Sequence, residues 1–74
     1  MLINVRLLAS FRVDRFRDEN REYPSECLIR EVVEDLNIRE EKVGLVLLNG
    51  HPASLSHVLS EGDLLSLVPF VCGG

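Results

Sequence analysis

The sequence predicts an α+β fold, a mixed sheet of about four to five strands with one main helix packed on one face. Three observations lead to it: apolar residues that alternate near both ends of the chain, an apolar stripe with helical spacing between them, and an Asn-Gly pair typical of a tight hairpin. The 74 residues form one domain. At that length a fold buries only about 60% of its surface, so we expect a single thin core.

The first half of the chain begins with a strand. Ile3, Val5 and Leu7 alternate with polar residues, as in a strand with one buried face. Residues 9–20 are polar and rich in arginine, which predicts a loop or irregular turn. A second, shorter strand follows and ends near Tyr23.

An amphipathic helix comes next. Its apolar stripe has the spacing i, i+3, i+4 and i+7 and consists of Ile29, Val32, Val33 and Leu36. Ser25 is a candidate N-cap, but Leu28 stands where a capping box has Glu or Gln, so the first turn is not fixed by the sequence. Two pairs of opposite charge, Glu26–Arg30 and Arg30–Glu34, are predicted on the solvated side.

The second half of the chain reads as a hairpin and a last strand. The run GLVLLNGHPA predicts two strands joined at Asn49-Gly50, because a type I′ turn needs positive φ at both central residues. Gly62-Asp63 marks a further turn, and Leu64–Pro69 is the last strand. The predicted order is strand, short strand, helix, strand, short strand, strand.

Two of these strands are apolar on both faces. In residues 45–48 and 64–68 both parities are largely apolar, although one helix can cover only one face of the sheet. Two interpretations stay open. Either loops shield the second face, or that face forms a partner-docking patch together with Phe70 and Val71.

Charge and composition exclude several classes of function. The net charge of −4 disfavours nucleic-acid binding. No stretch of about 18 apolar residues is present, and Asn4 and Arg6 interrupt the opening segment, so we expect neither membrane insertion nor a signal peptide and expect a cytoplasmic protein.

Cysteines and histidines are few. Cys27, Cys72, His51 and His57 lack the paired spacing of a zinc site, so no metal site is expected. We expect Cys27 to be a small buried residue and both histidines to be surface polar residues.

Several short motifs carry a resemblance to a known family. They are LNG at residues 48–50, the pattern of Leu59, Gly62 and Asp63, and the closing VPFVCGG. With these motifs and its element order, nearly the whole chain resembles the MoaD/ThiS family of small sulfur carriers, which have the ubiquitin-like β-grasp fold. The resemblance implies that the protein is not an enzyme and binds no cofactor. It implies instead that an ATP-using activating enzyme adenylates the C-terminal carboxylate, which then becomes a thiocarboxylate that donates sulfur to a cofactor precursor.

The resemblance also assigns roles at the end of the chain. Gly74 would be the attachment point, Gly73 and Cys72 would thread the partner's channel, and the docking residues would be Pro69, Phe70 and Val71. Residues 70–74 would form a flexible tail. Glycines suit such a tail because they have no Cβ and are not restricted to negative φ. Four extended residues from Val71 would carry the carboxylate roughly 13 Å.

Cys72 departs from the small residues that the family usually has at this position. Its thiol could form a disulfide with a partner or interfere with the acyl-adenylate, or it could be a small spacer. We favour the spacer.

The resemblance identifies the biosynthetic pathway less closely than it identifies the chemistry. Pro69-Phe70-Val71 is similar to the Pro-Pro-Val ending of the molybdopterin synthase small subunit, which favours a molybdenum or tungsten cofactor pathway over thiamine. The implied partners are a ubiquitin-activating-type adenylyltransferase and either a synthase large subunit or a thiazole synthase. Two alternatives remain: a ubiquitin-like modifier joined to proteins through Gly74, and a β-grasp binding module without tail chemistry.

Overall fold

The structure is a computed structural model that describes residues 1–70. Its elements, in chain order, are β1 (Leu2–Leu7), a 3₁₀ turn (Ala9–Arg12), β2 (Asp18–Glu22), α1 (Ile29–Asp35), a 3₁₀ turn (Glu40–Lys42), β3 (Val43–Leu48), β4 (His51–Pro52) and β5 (Leu64–Pro69). The predicted order of strands and helix is confirmed. Within the described residues, no helix is long and apolar enough to span a membrane.

The five strands form one mixed sheet in the order β2-β1-β5-β3-β4. The neighbouring strands β1 and β5 are parallel, with Val5 opposite Leu65, and the other neighbours are antiparallel. Because β1 and β5 run in the same direction, both end at the same edge of the sheet. The chain therefore leaves β5 close to the 3₁₀ turn that follows β1.

One face of the sheet forms the core together with the helix. In β1 the buried residues are Ile3, Val5 and Leu7, which is the face that the sequence predicts to be buried. They form one core with the apolar stripe of α1. The side chains with no solvent exposure are Ile3, Val5, Leu7, Ile29, Val32, Val33, Leu65 and Leu67. One helix therefore covers one face, as predicted.

The helix begins at Ile29, and the prediction of Ser25 as its N-cap is wrong. Glu26 has a φ of 65°, in the left-handed region, so a right-handed helix cannot pass through it. Leu28 is the N-cap, and its backbone N–H donates to Oε1 of Glu31 at 3.1 Å. Glu31 at the third helical position supplies one half of a capping box.

The first turn of α1 is also held by a distant loop. The backbone N–H groups of Ile29 and Arg30 donate to the carbonyls of His57 and Leu55, at 3.0 and 2.8 Å. These are two of the donors that a helix leaves unpaired at its start. The loop before β5 therefore replaces a polar side chain as the cap.

The ion pairs predicted along the helix do not form. Glu26 lies before the helix, and Arg30 donates from Nε to Oε1 of Glu40 at 2.9 Å instead of pairing with Glu34. Both partners are exposed, so this pair contributes about 0–1 kcal/mol.

A side-chain network fastens β2 to the end of the helix. Arg21 lies over the ring of Phe16, and it donates to the hydroxyl of Tyr23 at 3.1 Å and to Asp35 at 3.3 Å. The Tyr23 hydroxyl donates to Asp35 at 3.0 Å. Burial raises the pKa of Tyr23 to about 12, and the hydrogen bond from Arg21 offsets part of that rise.

The two predicted turns are present and contact each other. Asn49 and Gly50 both have positive φ, as a type I′ turn requires, and Gly62 has a φ of 82°. The Asn49 side chain donates to Asp63 at 3.0 Å and accepts from the backbone N–H of Leu64 at 2.9 Å. The LNG and Gly62-Asp63 motifs are therefore one hydrogen-bonded unit that joins β3 to β5.

Candidate functional site

The end of β5 is the candidate site, because the resemblance to the MoaD/ThiS family implies that the chemistry takes place on the residues that follow it. Phe70 is the last described residue, and its backbone N–H donates to the carbonyl of Lys42 at 2.7 Å. Its side chain is 64% exposed. This hydrogen bond fixes the point at which the chain leaves the sheet.

The predicted site residues are placed as follows. Pro69 is buried opposite Val43, so it supports the strand end from inside. Phe70 is largely exposed to solvent. The predictions for Val71, Cys72, Gly73 and Gly74, and for a tail over 70–74, lie outside the described residues apart from Phe70.

Gly44 is a residue of this site that the sequence pattern did not identify. The pairing of β3 with β5 shifts register between Val43 and Leu45, and Gly44 lies at that irregularity. A Cβ on Gly44 would come within 2.8 Å of the Phe70 Cα and 2.9 Å of the Pro69 carbonyl oxygen. Only glycine leaves room for the strand end in this position. A glycine inside a strand is the signal that could have found it, because such residues often mark a bulge or a close backbone approach.

The second face of the sheet is apolar on one half. We call Leu45, Leu47, Leu64 and Val68 the open-face patch. The register places Leu45 opposite Val68, and both alternate with buried core residues. Leu45 is 43% exposed and the other three are half-buried, so this half of the face is partly open to solvent.

The other half of the same face is polar. Asn4 donates to Asp18 at 2.7 Å and to Asn20 at 3.0 Å, and Arg6 pairs with Asp18 at 3.3 Å. The open-face patch is thus bounded on the β1 side by a hydrogen-bonded network and lies on β3 and β5, of which β5 leads to Phe70.

The cysteine and histidines within the described residues behave as predicted. Cys27 is buried, and its burial raises the pKa of the thiol, with a further rise from the carboxylates of Glu31 and Asp35. His51 and His57 are exposed. In residues 1–70 no three His, Cys, Asp or Glu side chains lie close enough to share a metal ion.

The fold is shared with several solved structures. The chain matches SAMP1 from Haloferax volcanii with a TM-score of 0.79 and 21% identity, over 100% of both chains. It matches a putative molybdopterin converting factor subunit 1 from Pyrococcus furiosus with a TM-score of 0.77 and 22% identity, over 96% of this chain and 99% of the other. These matches confirm the ubiquitin-like β-grasp fold.

A third similar structure was determined as a complex. It contains subunits 1 and 2 of the molybdopterin-converting factor from Helicobacter pylori, and the match has a TM-score of 0.64 and 26% identity over 100% of both chains. No relative among curated protein sequences matches the chain.

The family assignment comes from the sequence as a whole. The sequence model of the ThiS family matches residues 5–74, which is nearly the entire chain and includes both terminal glycines. The resemblance to the MoaD/ThiS proteins is therefore confirmed. Small ubiquitin-like proteins of this type are carriers or modifiers without catalytic activity of their own, so the prediction that the protein is not an enzyme is also confirmed. The chain belongs to the ThiS family.

Proposed function

We propose that the protein is a sulfur carrier whose Gly74 carboxylate is adenylated and then converted to a thiocarboxylate. The observation that carries the proposal is the match to the ThiS family, which runs through residues 73 and 74. The activating protein would be a ubiquitin-activating-type adenylyltransferase that supplies the ATP site. The carrier itself would bind no cofactor. We also propose a cytoplasmic location, as expected from the sequence.

The chemistry explains why such a carrier needs a partner. A carboxylate is a poor electrophile. When its oxygen attacks the α-phosphate of ATP, pyrophosphate leaves and the mixed anhydride with AMP has a reactive carbonyl. A sulfur nucleophile then attacks that carbonyl, and AMP leaves. Both steps take place in the partner's active site, so the carrier's task is to deliver the carboxylate.

The geometry of the strand end suits this delivery. The hydrogen bond from Phe70 to Lys42 gives the last residues a fixed starting point at the edge of the sheet. From there, four residues in extended conformation reach roughly 13 Å. Gly73 and Gly74 have no side chains that would widen the channel needed to admit them.

The open-face patch is the proposed docking surface for the activating enzyme. Leu45 and Val68 lie side by side on β3 and β5, and Val68 is two residues before Phe70. A partner that encloses the tail could therefore also cover the open-face patch next to it. Burial of this apolar surface would strengthen the binding.

For the acceptor of the sulfur we propose the large subunit of a molybdopterin synthase, in a molybdenum or tungsten cofactor pathway. The Pro69-Phe70-Val71 sequence supports this choice. The 26% identical Helicobacter pylori protein, which was solved in a complex of subunits 1 and 2, supports a large-subunit partner. A thiazole synthase of the thiamine pathway is the alternative acceptor.

A pyrophosphate-exchange assay tests the adenylation step. The carrier is incubated with the activating enzyme encoded in the same genome, ATP and labelled pyrophosphate. We expect carrier-dependent exchange that is lost when Gly74 is deleted and kept when the exposed Glu34 is replaced by alanine. Exchange that persists without Gly74 would refute the proposal. Isopeptide adducts between Gly74 and lysines of other proteins would instead identify a ubiquitin-like modifier.

A further inference from the structure

A groove of about 400 Å³ opens beside Phe70, at the edge of the sheet where β1 and β5 both end. Three segments meet there: the segment between β1 and β2, the segment between α1 and β3, and the end of β5 with the residue that follows it. Phe11, Ile38 and Pro69 are buried and form its apolar floor. Phe70, the residue that precedes the predicted carboxyl-terminal segment, lines the same groove.

The rim of the groove is basic. Arg15, Arg39 and Lys42 line it, and no acidic residue does so within the described part of the chain. The ion pairs of residues 1–70 involve Arg6, Arg21 and Arg30, so all three rim cations are without an acidic partner in that range. Three of the chain's eight Lys and Arg residues thus lie around the groove beside Phe70, although the protein has a net charge of −4.

The position of Arg15 has a structural cause. Its Nε donates to the carbonyl of Leu36 at 3.3 Å and its Nη2 to the carbonyl of Asn37 at 3.4 Å. These carbonyls lie just beyond the end of α1, where a helix leaves acceptors unpaired and attracts cations. The guanidinium is therefore held in place while part of its donor set still faces the groove.

We propose that this groove binds carboxylate side chains of the activating enzyme. The inference deepens the proposed function and rests on it for the identity of that protein. Guanidinium groups match carboxylates in planar, paired hydrogen bonds, and the ammonium of Lys42 adds a third charge. With the tail extended in the enzyme's channel, the adenylate phosphate would lie roughly 13 Å further on and would need cations of the enzyme.

The first test measures the carrier's KM in the pyrophosphate-exchange assay. Replacing both Arg39 and Lys42 with glutamate leaves the Phe70 hydrogen bond intact, because that bond uses the Lys42 backbone. We expect KM to rise about tenfold or more with little change in kcat, and the dependence of KM on NaCl to weaken. The control is Arg17→Glu, a substitution of an exposed residue that does not line the groove, and its KM should stay within about twofold of the wild type. An unchanged KM in the double variant would overturn the proposal.

The second test needs no activating enzyme. The ¹⁵N-labelled full chain is titrated with the peptide acetyl-Asp-Glu-Asp-Glu-amide, and with its Asn-Gln counterpart as control. Only the acidic peptide should shift the amide resonances of Ser10, Asn37 and Lys42, and the Arg39→Glu, Lys42→Glu variant should abolish those shifts. Absence of shifts, or shifts elsewhere, would overturn the proposal.

A third measurement addresses the chain's own carboxylate as the occupant. Deletion of Gly73 and Gly74 should leave the groove resonances of the free protein unchanged, and a shift confined to them would overturn the proposal in favour of the tail. If the wild-type chain is not adenylated at all, the proposed function fails, and the peptide titration alone decides whether the groove binds carboxylates.

Discussion

The backbone of Phe70 crosses Gly44 so closely that a Cβ on Gly44 would lie 2.8 Å from the Phe70 Cα. The exit of the chain from the sheet is therefore determined by β3 as well as by β5. The backbone N–H of Phe70 also donates to the carbonyl of Lys42, two residues before Gly44, and this hydrogen bond stabilises the close approach of the two segments.

The Gly44→Ala variant tests this crossing. The added methyl group must displace the backbone at Pro69 and Phe70, because both nearest contacts are main-chain atoms. We expect a loss of about 1–3 kcal/mol in the free energy of unfolding, measured by urea denaturation, as for an overpacked site. We also expect slower pyrophosphate exchange, since the tail would start from a shifted position.

Gly50→Ala is the matched control for that variant. Gly50 has a φ of 84°, and no atom lies within 4 Å of the position that a methyl group would take, so alanine there is strained but touches nothing near the tail. It should cost about 1–3 kcal/mol of stability through backbone strain and leave exchange unchanged. Equal exchange rates in the two variants would show that Gly44 acts on stability alone.

The raised pKa of Tyr23 predicts that the protein loses stability in alkaline solution. Its folded-state pKa of about 12 lies above the ordinary value of about 10, so the folded protein holds the phenolic proton more tightly than the unfolded chain. The resulting stabilisation is complete below about pH 10 and is lost as the pH rises through about 12. Because the residue is half-buried, we expect a fall on the order of 1 kcal/mol in the free energy of unfolding over this range.

Tyr23→Phe removes the titrating group and isolates its effect. The variant should be less stable at neutral pH, because Asp35 and Arg21 lose their bonds to the hydroxyl. Its stability should then change less between about pH 9 and pH 12 than that of the wild type. Parallel curves for the two proteins would assign the alkaline loss to other groups.

Cys72→Ala separates the two cysteines. Cys27 is buried with a raised thiol pKa, so in this variant it should react slowly with a thiol reagent in native buffer and rapidly in urea. If Cys72 is a spacer, the variant should also be adenylated as fast as the wild type. Loss of adenylation with an intact fold would instead give the Cys72 thiol a function.

Glu31→Ala tests how the helix starts. Removing the carboxylate leaves the Leu28 N–H without its acceptor, which should cost about 1 kcal/mol. Glu34→Ala, an equally exposed change in the last turn of α1, should cost nothing or stabilise slightly, because a negative charge is unfavourable there. Thermal denaturation of the two variants compares them directly.

The sequence was sufficient for the elements whose pattern is local. The alternation of Ile3, Val5 and Leu7 and the stripe on α1 identify their own buried faces. The Asn49-Gly50 turn follows from the positive φ that the hairpin needs. In these segments the chain's own periodicity decides the structure.

The features that escaped prediction depend on distant parts of the chain. The first N–H groups of the helix donate to carbonyls of Leu55 and His57, and the local sequence does not reveal these distant acceptors. Arg30 pairs with Glu40 because the chain turns back after α1. The groove beside Phe70 likewise needs three segments that only the fold brings together.

The mass of the intact protein tests the central claim most directly. The chain is co-expressed with the activating enzyme and a sulfur donor, and its mass is compared with that of the chain expressed alone. We expect a mass gain equal to the exchange of one oxygen for sulfur, located in the C-terminal peptide and absent when Gly74 is deleted. The same activating enzyme must thiocarboxylate a second, known carrier as a positive control. An unchanged mass of this chain under those conditions would contradict the proposal that it is a sulfur carrier.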